Sequence, residues 1–495
     1  MNTTEQQPTE KTAAKSVVDI LIVGAGISGV GAACYFQREL PTKKIMILER
    51  RKAVGGTWDL FRYPGIRSDS DMNTFGYGFR PWTETRVLSD GPAIKQYIED
   101  TARENNIYKY IQFGMKVKSA SHESKTSRWT VIAENEEDHS ILTVECNFFI
   151  SATGYYKYDA GYKPEFPGEQ TFKGQIVHPQ QWPENLDYKG KKVVVIGSGA
   201  TAVTLIPAMA DKTSHITMLQ RSPTYILSIP KNDVLSENLR KFLPASVVYS
   251  MARTRNILLQ KSLYALAKAQ PGIVRNLILN AVKSQLGDEV DISHFTPKYN
   301  PWDERLCVVP EGDLFKTLKS GKASVVTDTI DTFTETGIQL KSGKFLEADI
   351  IVTATGLDLQ LLGGIQVKVD NREMNLPDRL TYKAVLLEDV PNMALIFGYT
   401  NASWTLKVDI ACEYLCRLVR YMDEHGYQTV KTRPAAAFKT EETVMGGLSS
   451  GYIQRAVDQL PKQGSEGVWK VTNDYLSDLA TLKFGSIADD QLIFQ

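Results

Sequence analysis

Two short glycine clusters carry most of the chemistry this chain can do. They are Gly24-Ala25-Gly26-Ile27-Ser28-Gly29 and Gly197-Ser198-Gly199-Ala200-Thr201-Ala202. Glycines at this spacing let a backbone turn come close to a pyrophosphate, and a helix that starts inside the turn points its free N–H groups at the charge. The residue closing the next strand then selects the ribose. After the first cluster the strand Ile45–Leu48 ends on Glu49. A carboxylate there accepts from ribose hydroxyls and repels a 2′-phosphate. After the second cluster the strand His215–Leu219 ends on Gln220, Arg221 and Ser222. A guanidinium there can fork onto a 2′-phosphate. The first site is therefore expected to hold FAD and the second NADPH, so that two dinucleotides meet in one chain.

Two further stretches belong with these clusters. Gly55–Asp69 (GGTWDLFRYPGIRSD) combines a Gly-Gly turn with Trp58, Phe61 and Tyr63, aromatic bodies suited to a flavin or nicotinamide face, followed by the polar trio Arg67, Ser68 and Asp69. Phe172–Pro183 (FKGQIVHPQQWP) lies between the clusters, in a Pro-, Gly- and Tyr-rich stretch without periodicity. Its His178 is read as bonding backbone and setting how two domains rotate, with a proton shuttle as the alternative. Tyr299–Pro310 is a compact loop that carries Arg305.

The elements that must position these residues follow from pattern. Val17–Val23 is a β-branched apolar run, the mark of a buried parallel strand. Helices are expected over Val30–Leu40, Ile94–Glu104, Ala202–Ala210, Asp313–Leu318 and Trp404–Glu424. Strands are expected over Ile111–Ala120, Trp129–Ala133, Cys146–Ile150, Lys191–Ile196 and Ala323–Thr327. A strand followed by Ala-Thr-Gly occurs at residues 146–154 and again at 349–356, which suggests a backbone that leaves one domain near 155 and returns near 347. The expected fold is α/β, with two Rossmann-like dinucleotide-binding domains and a helical insertion. The expected layout is a disordered arm over 1–16, an FAD-binding domain from 17–155 and 347–495, a connector over 156–190, an NADP-binding domain from 191–229 and 300–346, and the helical insertion over 230–299.

Composition narrows the function. Lys plus Arg number 57 and Asp plus Glu 57, so no basic field argues for nucleic acid. The five cysteines are scattered without a CxxC pair, which argues against zinc and dithiol chemistry and for reduced, buried thiols in a cytoplasmic protein. The N-terminus lacks the apolar segment of a secretory signal, and no apolar run reaches the ~20 residues of a membrane span. Between Met251 and Gly287 there is no acidic residue, while Arg253, Arg255, Lys261, Lys268, Arg275 and Lys283 alternate with apolar residues. That pattern reads as a helical cap over a substrate cleft with a solvated basic side; its alternative is a weak peripheral contact with anionic lipid.

Taken together, FxGxxxHxxxWP at Phe172, Gly174, His178, Trp182 and Pro183, and GGxWxxxxYPGxxxD at Gly55, Gly56, Trp58, Tyr63, Pro64, Gly65 and Asp69, resemble the class B flavin-dependent Baeyer–Villiger monooxygenases. The resemblance runs through YPGIRSDSDM, GSGATAVTL, LQRSPTY, YNPWDERLC and GYTNASWTLK, and within the family it is nearest the ethionamide-activating group. It implies FAD contacts from Gly24, Gly26, Ser28, Gly29, Glu49, Thr57, Trp58, Asp59 and Leu60, and a backbone contact to the adenine from Val117. It implies NADP contacts from Arg67, Ser68, Asp69, Gly197, Ser198, Gly199, Ala200, Thr201, Ala202, Val203, Gln220 and Arg221. It makes Arg305 the active-site cation, with Asp69 as its carboxylate partner. The implied reaction consumes NADPH and O2, places one oxygen atom beside a ketone carbonyl to give an ester, and extends to sulfides or thioamides. The chain departs from the family at Glu304, where relatives often carry a lysine that helps hold the 2′-phosphate; Arg221 then carries more of the coenzyme preference. The rival readings are a sulfide or amine oxygenase, an NADPH oxidase without oxygenation, and a non-catalytic membrane-docked protein.

Overall fold

The protein's computed structural model describes residues 14–495. Strand β1 (Ala14–Val23) runs parallel to β2 (Ile45–Leu48) on one side and to β6 (Ile141–Ser151) on the other. Being covered on both faces, its Leu21 and Ile22 are fully buried, which is why the run is β-branched and not alternating. Helix α1 (Ile27–Glu39) follows β1, and its Ile27–Phe36 stretch is buried. Beyond β2 the sheet continues to β3 (Ile111–Gln112), and beyond β6 through β5 (Arg128–Asn135) and β4 (Met115–Glu123) to the segment Gln366–Val369.

The second sheet is five-stranded and parallel throughout its path. It contains β7 (Gln175–Val177), β8 (Lys192–Ile196), β9 (His215–Gln220), β10 (Ala323–Thr327) and β11 (Ile350–Thr353), in the order β10-β9-β8-β11-β7. Helix α2 (Ala200–Met209) begins inside the second glycine cluster.

Three expected boundaries change. The expected arm at 1–16 does not include Ala14–Ser16, which extend β1 by pairing with Leu142–Val144; its residues 1–13 lie outside the described residues. The connector at 156–190 is not all connector. Its Gln175–Val177 supplies the edge strand of the second sheet, and Gly174 permits the approach, since a Cβ there would lie 2.2 Å from the Asp349 carbonyl oxygen. The return at 347 comes too soon, because β11 is the inner neighbour of β8 and belongs to the second sheet.

The two units repeat one packing device. A Cβ on Gly24 would meet the Ala152 carbonyl oxygen at 2.6 Å, and one on Gly197 would meet that of Ala354 at 2.3 Å. Each glycine turn thus rests on the Ala-Thr-Gly segment after the neighbouring strand. The two crossing segments bond to each other, Lys157 N–H to Asp358 O (2.9 Å), Gln360 N–H to Tyr155 O (2.9 Å) and Tyr162 N–H to Gly356 O (3.1 Å).

The insertion is a helical hairpin, α3 (Ala245–Ala269) and α4 (Pro271–Leu286), that straddles both units. Helix α4 buries Val274, Ile278, Val282 and Leu286, one residue per turn, in the core of the second unit. Helix α3 is fastened to the first. Arg253 donates to the carbonyl oxygens of Asn73 (3.0 Å) and Gly76 (2.7 Å) and pairs with Asp409 (2.8 Å) of helix α5 (Trp404–His425). Burial pushes the Asp409 carboxyl up to about 6 against the pull of Arg253. These contacts weaken the lipid reading of 251–287. Arg255 pairs with Asp233, Lys261 with Asp474 and Lys268 with Asp303, and Arg275 donates to Tyr225, so the basic side chains are largely spent inside the molecule. Among the described residues no helix is long and apolar enough to cross a membrane.

Candidate active site

The C-terminal ends of the two sheets face a common cavity of about 950 Å³. That is the place where open parallel sheets bind ligands, at the ends of strands that diverge. In the first unit its wall includes Gly24, Gly26 and Ser28 of the first cluster, Glu49, Thr57, Trp58 and Val117. Gly26 and Gly56 touch backbone to backbone: a Cβ on Gly56, whose φ is +55°, would lie 2.9 Å from the Gly26 Cα. Glu49 is buried, and both its oxygens accept backbone N–H groups, from Ala25 (2.6 Å) and from Arg51 (2.7 Å). Burial raises its pKa in spite of those bonds. Each oxygen keeps a second lone pair for a ribose hydroxyl.

Three expected contacts of this unit lie behind the wall. Gly29 is packed so closely that a Cβ would stand 1.8 Å from the Gly24 carbonyl oxygen, so its role is to let α1 close on the turn. Asp59 is buried in ion pairs with Arg51 (2.6 Å) and Lys95 (2.8 Å), and those cations hold its carboxyl low against burial. Leu60 packs on the core of the second unit.

In the second unit Gly197, Ser198, Gly199, Ala200, Thr201, Val203 and Arg221 line the cavity. A Cβ on Gly199 would meet nothing within 4 Å, so that turn opens onto free space. Ala202 is buried in the core. Gln220 also faces inward: its amide donates to His294 O (2.6 Å) and Thr327 Oγ1 (2.8 Å). It does not line this cavity, because the strand alternation that exposes Arg221 turns Gln220 the other way. Arg67, Ser68 and Asp69 line the cavity, but the Arg67 guanidinium is paired with Asp313 (2.5 Å). Glu304 lines the coenzyme half beside Arg221; burial raises its pKa and Arg221 lowers it.

Arg305 stands in the wall shared by the two units. The expected pairing with Asp69 is not made: among the described residues no ion pair joins them, and Asp69 is an exposed carboxylate on the cavity wall. The guanidinium instead donates to Tyr452 Oη (2.8 Å) and Tyr155 Oη (3.2 Å). The hydrogen bonds to the two phenol oxygens and, at longer range, the Asp69 carboxylate favour its charged form against burial. Tyr155 stacks on Trp404 (5.3 Å between ring centroids, 26° between planes), and the Trp404 indole N–H donates to Ser28 Oγ (2.7 Å). Sequence reasoning missed Tyr155, Tyr452 and Trp404. Tyr155 follows the Ala-Thr-Gly turn at once, which was a usable signal; Tyr452 carries none.

The stretch Phe172–Pro183 lies away from the cavity wall. Phe172 packs edge-on against Phe333 (6.4 Å), and Trp182 packs on the second core. His178 is held by backbone on both nitrogens. Its Nδ1 accepts from Gln180 N–H (3.2 Å), which leaves Nε2–H to donate to Gly356 O (3.2 Å) on the returning crossover. Burial lowers its pKa and favours this neutral form.

Residues 88–396 match the family described as flavin-binding monooxygenase-like, and residues 22–98 match the NAD(P)-binding Rossmann-like domain. The chain is 49% identical over 480 residues to the FAD-containing monooxygenase EthA of Mycobacterium tuberculosis, covering 96% of this chain and 97% of that one. It is 53% identical over 478 residues to AlmA of an Acinetobacter species, named a probable FAD-binding monooxygenase, covering 96% of each. Among solved structures it superposes on an oxidized steroid monooxygenase bound to NADP with a TM-score of 0.78 at 21% identity, covering 97% of this chain and 99% of that one. An open cyclohexanone monooxygenase gives 0.77 at 20% identity, covering 97% and 100%. The structural likeness establishes the fold, and the sequence matches establish the relationship: the chain belongs to the flavin-binding monooxygenase-like family and is an FAD-dependent monooxygenase.

Proposed function

We propose that this monooxygenase carries out Baeyer–Villiger oxygenation of a ketone, with sulfides and thioamides as further substrates. What supports the reading is Arg305, a permanently charged side chain on the cavity wall between the two glycine turns. The overall change is balanced as ketone, O2, NADPH and a proton going to ester, NADP⁺ and water. When bound, FAD supplies hydride acceptance from NADPH and activation of dioxygen.

The chain's own residues do the rest. The first glycine turn and the N-terminus of α1 suit the FAD pyrophosphate, and Glu49 suits its ribose. The second turn and Arg221 suit NADPH, with Glu304 opposing the 2′-phosphate. Arg305 fits the task of stabilising negative charge that develops where oxygen attacks, because a guanidinium stays charged at any working pH. Tyr155, Trp404 and Tyr452 form an aromatic wall beside it that limits water.

Mass-spectrometric product analysis tests the proposal. Purified enzyme is given NADPH and O2 with a methyl ketone and, separately, with an aryl methyl sulfide. Ester from the ketone is expected. Sulfoxide alone would move the enzyme to the sulfide-oxygenating class, and peroxide without either product would make it an NADPH oxidase.

A further inference from the structure

We propose that Tyr452 and Tyr155 are positioning residues for Arg305, their phenol oxygens holding its guanidinium through two different nitrogens. The proposal rests on the reading of Arg305 as the site's cation. Tyr452 binds Nε at 2.8 Å and Tyr155 binds Nη2 at 3.2 Å. Two contacts on different nitrogens of a planar group fix its plane as well as its place. The chemistry of the partners matters too. A carboxylate in contact would cancel the charge that Arg305 offers to the cavity, whereas two phenols orient the guanidinium and leave its net charge intact.

The phenols come from distant parts of the chain and are themselves held. Tyr155 Oη is 2.9 Å from Tyr156 Oη, and its ring lies on Trp404, which reaches Ser28 of the first glycine turn. Tyr452 sits on a segment laced to the arginine's own loop. Arg305 N–H donates to Ser450 Oγ (3.3 Å), and Ser449 donates to Asp303 O from both its N–H and its hydroxyl (3.0 Å each). The same segment is pinned to the crossovers, where the Arg455 guanidinium lies 3.4 Å over the Tyr162 ring and donates to Leu357 O (3.3 Å). A continuous path therefore runs from the FAD side through Trp404 and Tyr155 to Arg305 and on to Tyr452, so the cation's position is set by both units at once.

The test is a double-mutant cycle between Tyr452→Phe and Arg305→Ala, with Tyr155→Phe in parallel. Three quantities are read: FAD content, the rate of anaerobic flavin reduction by NADPH, and oxygenated product per NADPH consumed. Tyr452→Phe is expected to keep its FAD and to be reduced within about two-fold of the parent rate. Product per NADPH is expected to fall by about ten-fold or more, with peroxide making up the difference, as befits loss of a hydrogen bond to a charged group. On the Arg305→Ala background Tyr452→Phe should add no further loss, since the two act as a unit. Parent-like coupling in Tyr452→Phe, or the same further loss without Arg305, overturns the proposal. Loss of FAD from Tyr452→Phe would make that phenol structural and overturn its part, leaving Tyr155→Phe to decide the other. Should the parent give peroxide alone, the oxygenation reading fails independently. The cycle is then run on NADP⁺ affinity, read from the flavin absorbance change, and additivity there overturns the positioning role.

Discussion

Replacing Glu49 by glutamine tests how the first glycine turn is held ready for FAD. The carboxylate accepts two backbone N–H groups, one from Ala25 inside the turn at 2.6 Å and one from Arg51 at 2.7 Å. Glutamine has one oxygen and one NH2, so it can serve only one of them and turns a donor toward the other. The residue is 5% exposed on the wall of the cavity that FAD would fill, so water cannot repair the mismatch once FAD is bound. Losing a charge-assisted bond and leaving a buried donor unpaired together cost about 2–4 kcal/mol. Without FAD the turn can relax to find water, so most of that cost falls on the bound state. At 1.4 kcal/mol per decade the dissociation constant for FAD should rise roughly thirty-fold to several-hundred-fold. Titration of the apoprotein with FAD, followed by flavin fluorescence, measures this directly. Thermal unfolding with and without FAD separates it from loss of fold, because each ten-fold weakening removes about 1.4 kcal/mol of ligand stabilisation. A Glu49→Gln protein that binds FAD as tightly as the parent would refute the reasoning. So would an apoprotein that loses as much stability as the FAD-bound form, since the carboxylate would then be a general core contact.

Three further outcomes are expected. Arg253→Met leaves Asp409 buried without its cation, so unfolding should become easier by about 3–5 kcal/mol, with Asp409→Asn restoring much of the loss; an unchanged melting curve for Arg253→Met alone would contradict this. Burial holds the folded-state pKa of His178 below its usual 6.5, so the neutral ring's contribution to stability is present above that value and lost as pH falls through the lowered one. The stability gap between parent and His178→Phe should accordingly narrow on acidification from about pH 7 to pH 5, and a gap independent of pH would remove the imidazole from the hinge. Glu304→Gln removes a negative charge beside Arg221, so the ratio of kcat/KM for NADPH over that for NADH should rise roughly three- to ten-fold; a fixed ratio in steady-state assays would free Glu304 of any part in coenzyme choice.

What could be read from the chain was what local backbone chemistry demands. The two glycine turns, the buried run before each and the charge that ends the following strand are all requirements met within about thirty residues, so type and spacing suffice. The α/β class, the helical character of the insertion and the strand at Ile45–Leu48 follow the same logic. What could not be read was where a polar side chain spends its charge. Arg67 has the chemistry of an anion ligand, but Asp313, 246 residues later, takes its guanidinium. Asp59 and Gln220 stand beside cavity residues in sequence and face the opposite way, because a side chain's face depends on the local turn of the backbone. The strand Gln175–Val177 is too short for periodicity to announce, and only its pairing with β11, some 175 residues on, makes it a strand.

The same limit applies to Asp69, which the family resemblance implies as the carboxylate partner of Arg305 and which makes no ion pair with it among the described residues. The partners the fold delivers are Tyr155 and Tyr452, 150 and 147 residues from Arg305. Neither lies in either fingerprint, and they meet only because the chain crosses between units at Tyr155 and its C-terminal segment folds back over the crossing. A cation held by phenols from two different passes of the chain cannot be built by one unit alone. That ties its placement to the closure of the whole molecule, and makes the contacts between the two sheets, as much as the glycine turns themselves, a determinant of what the cavity can do with oxygen.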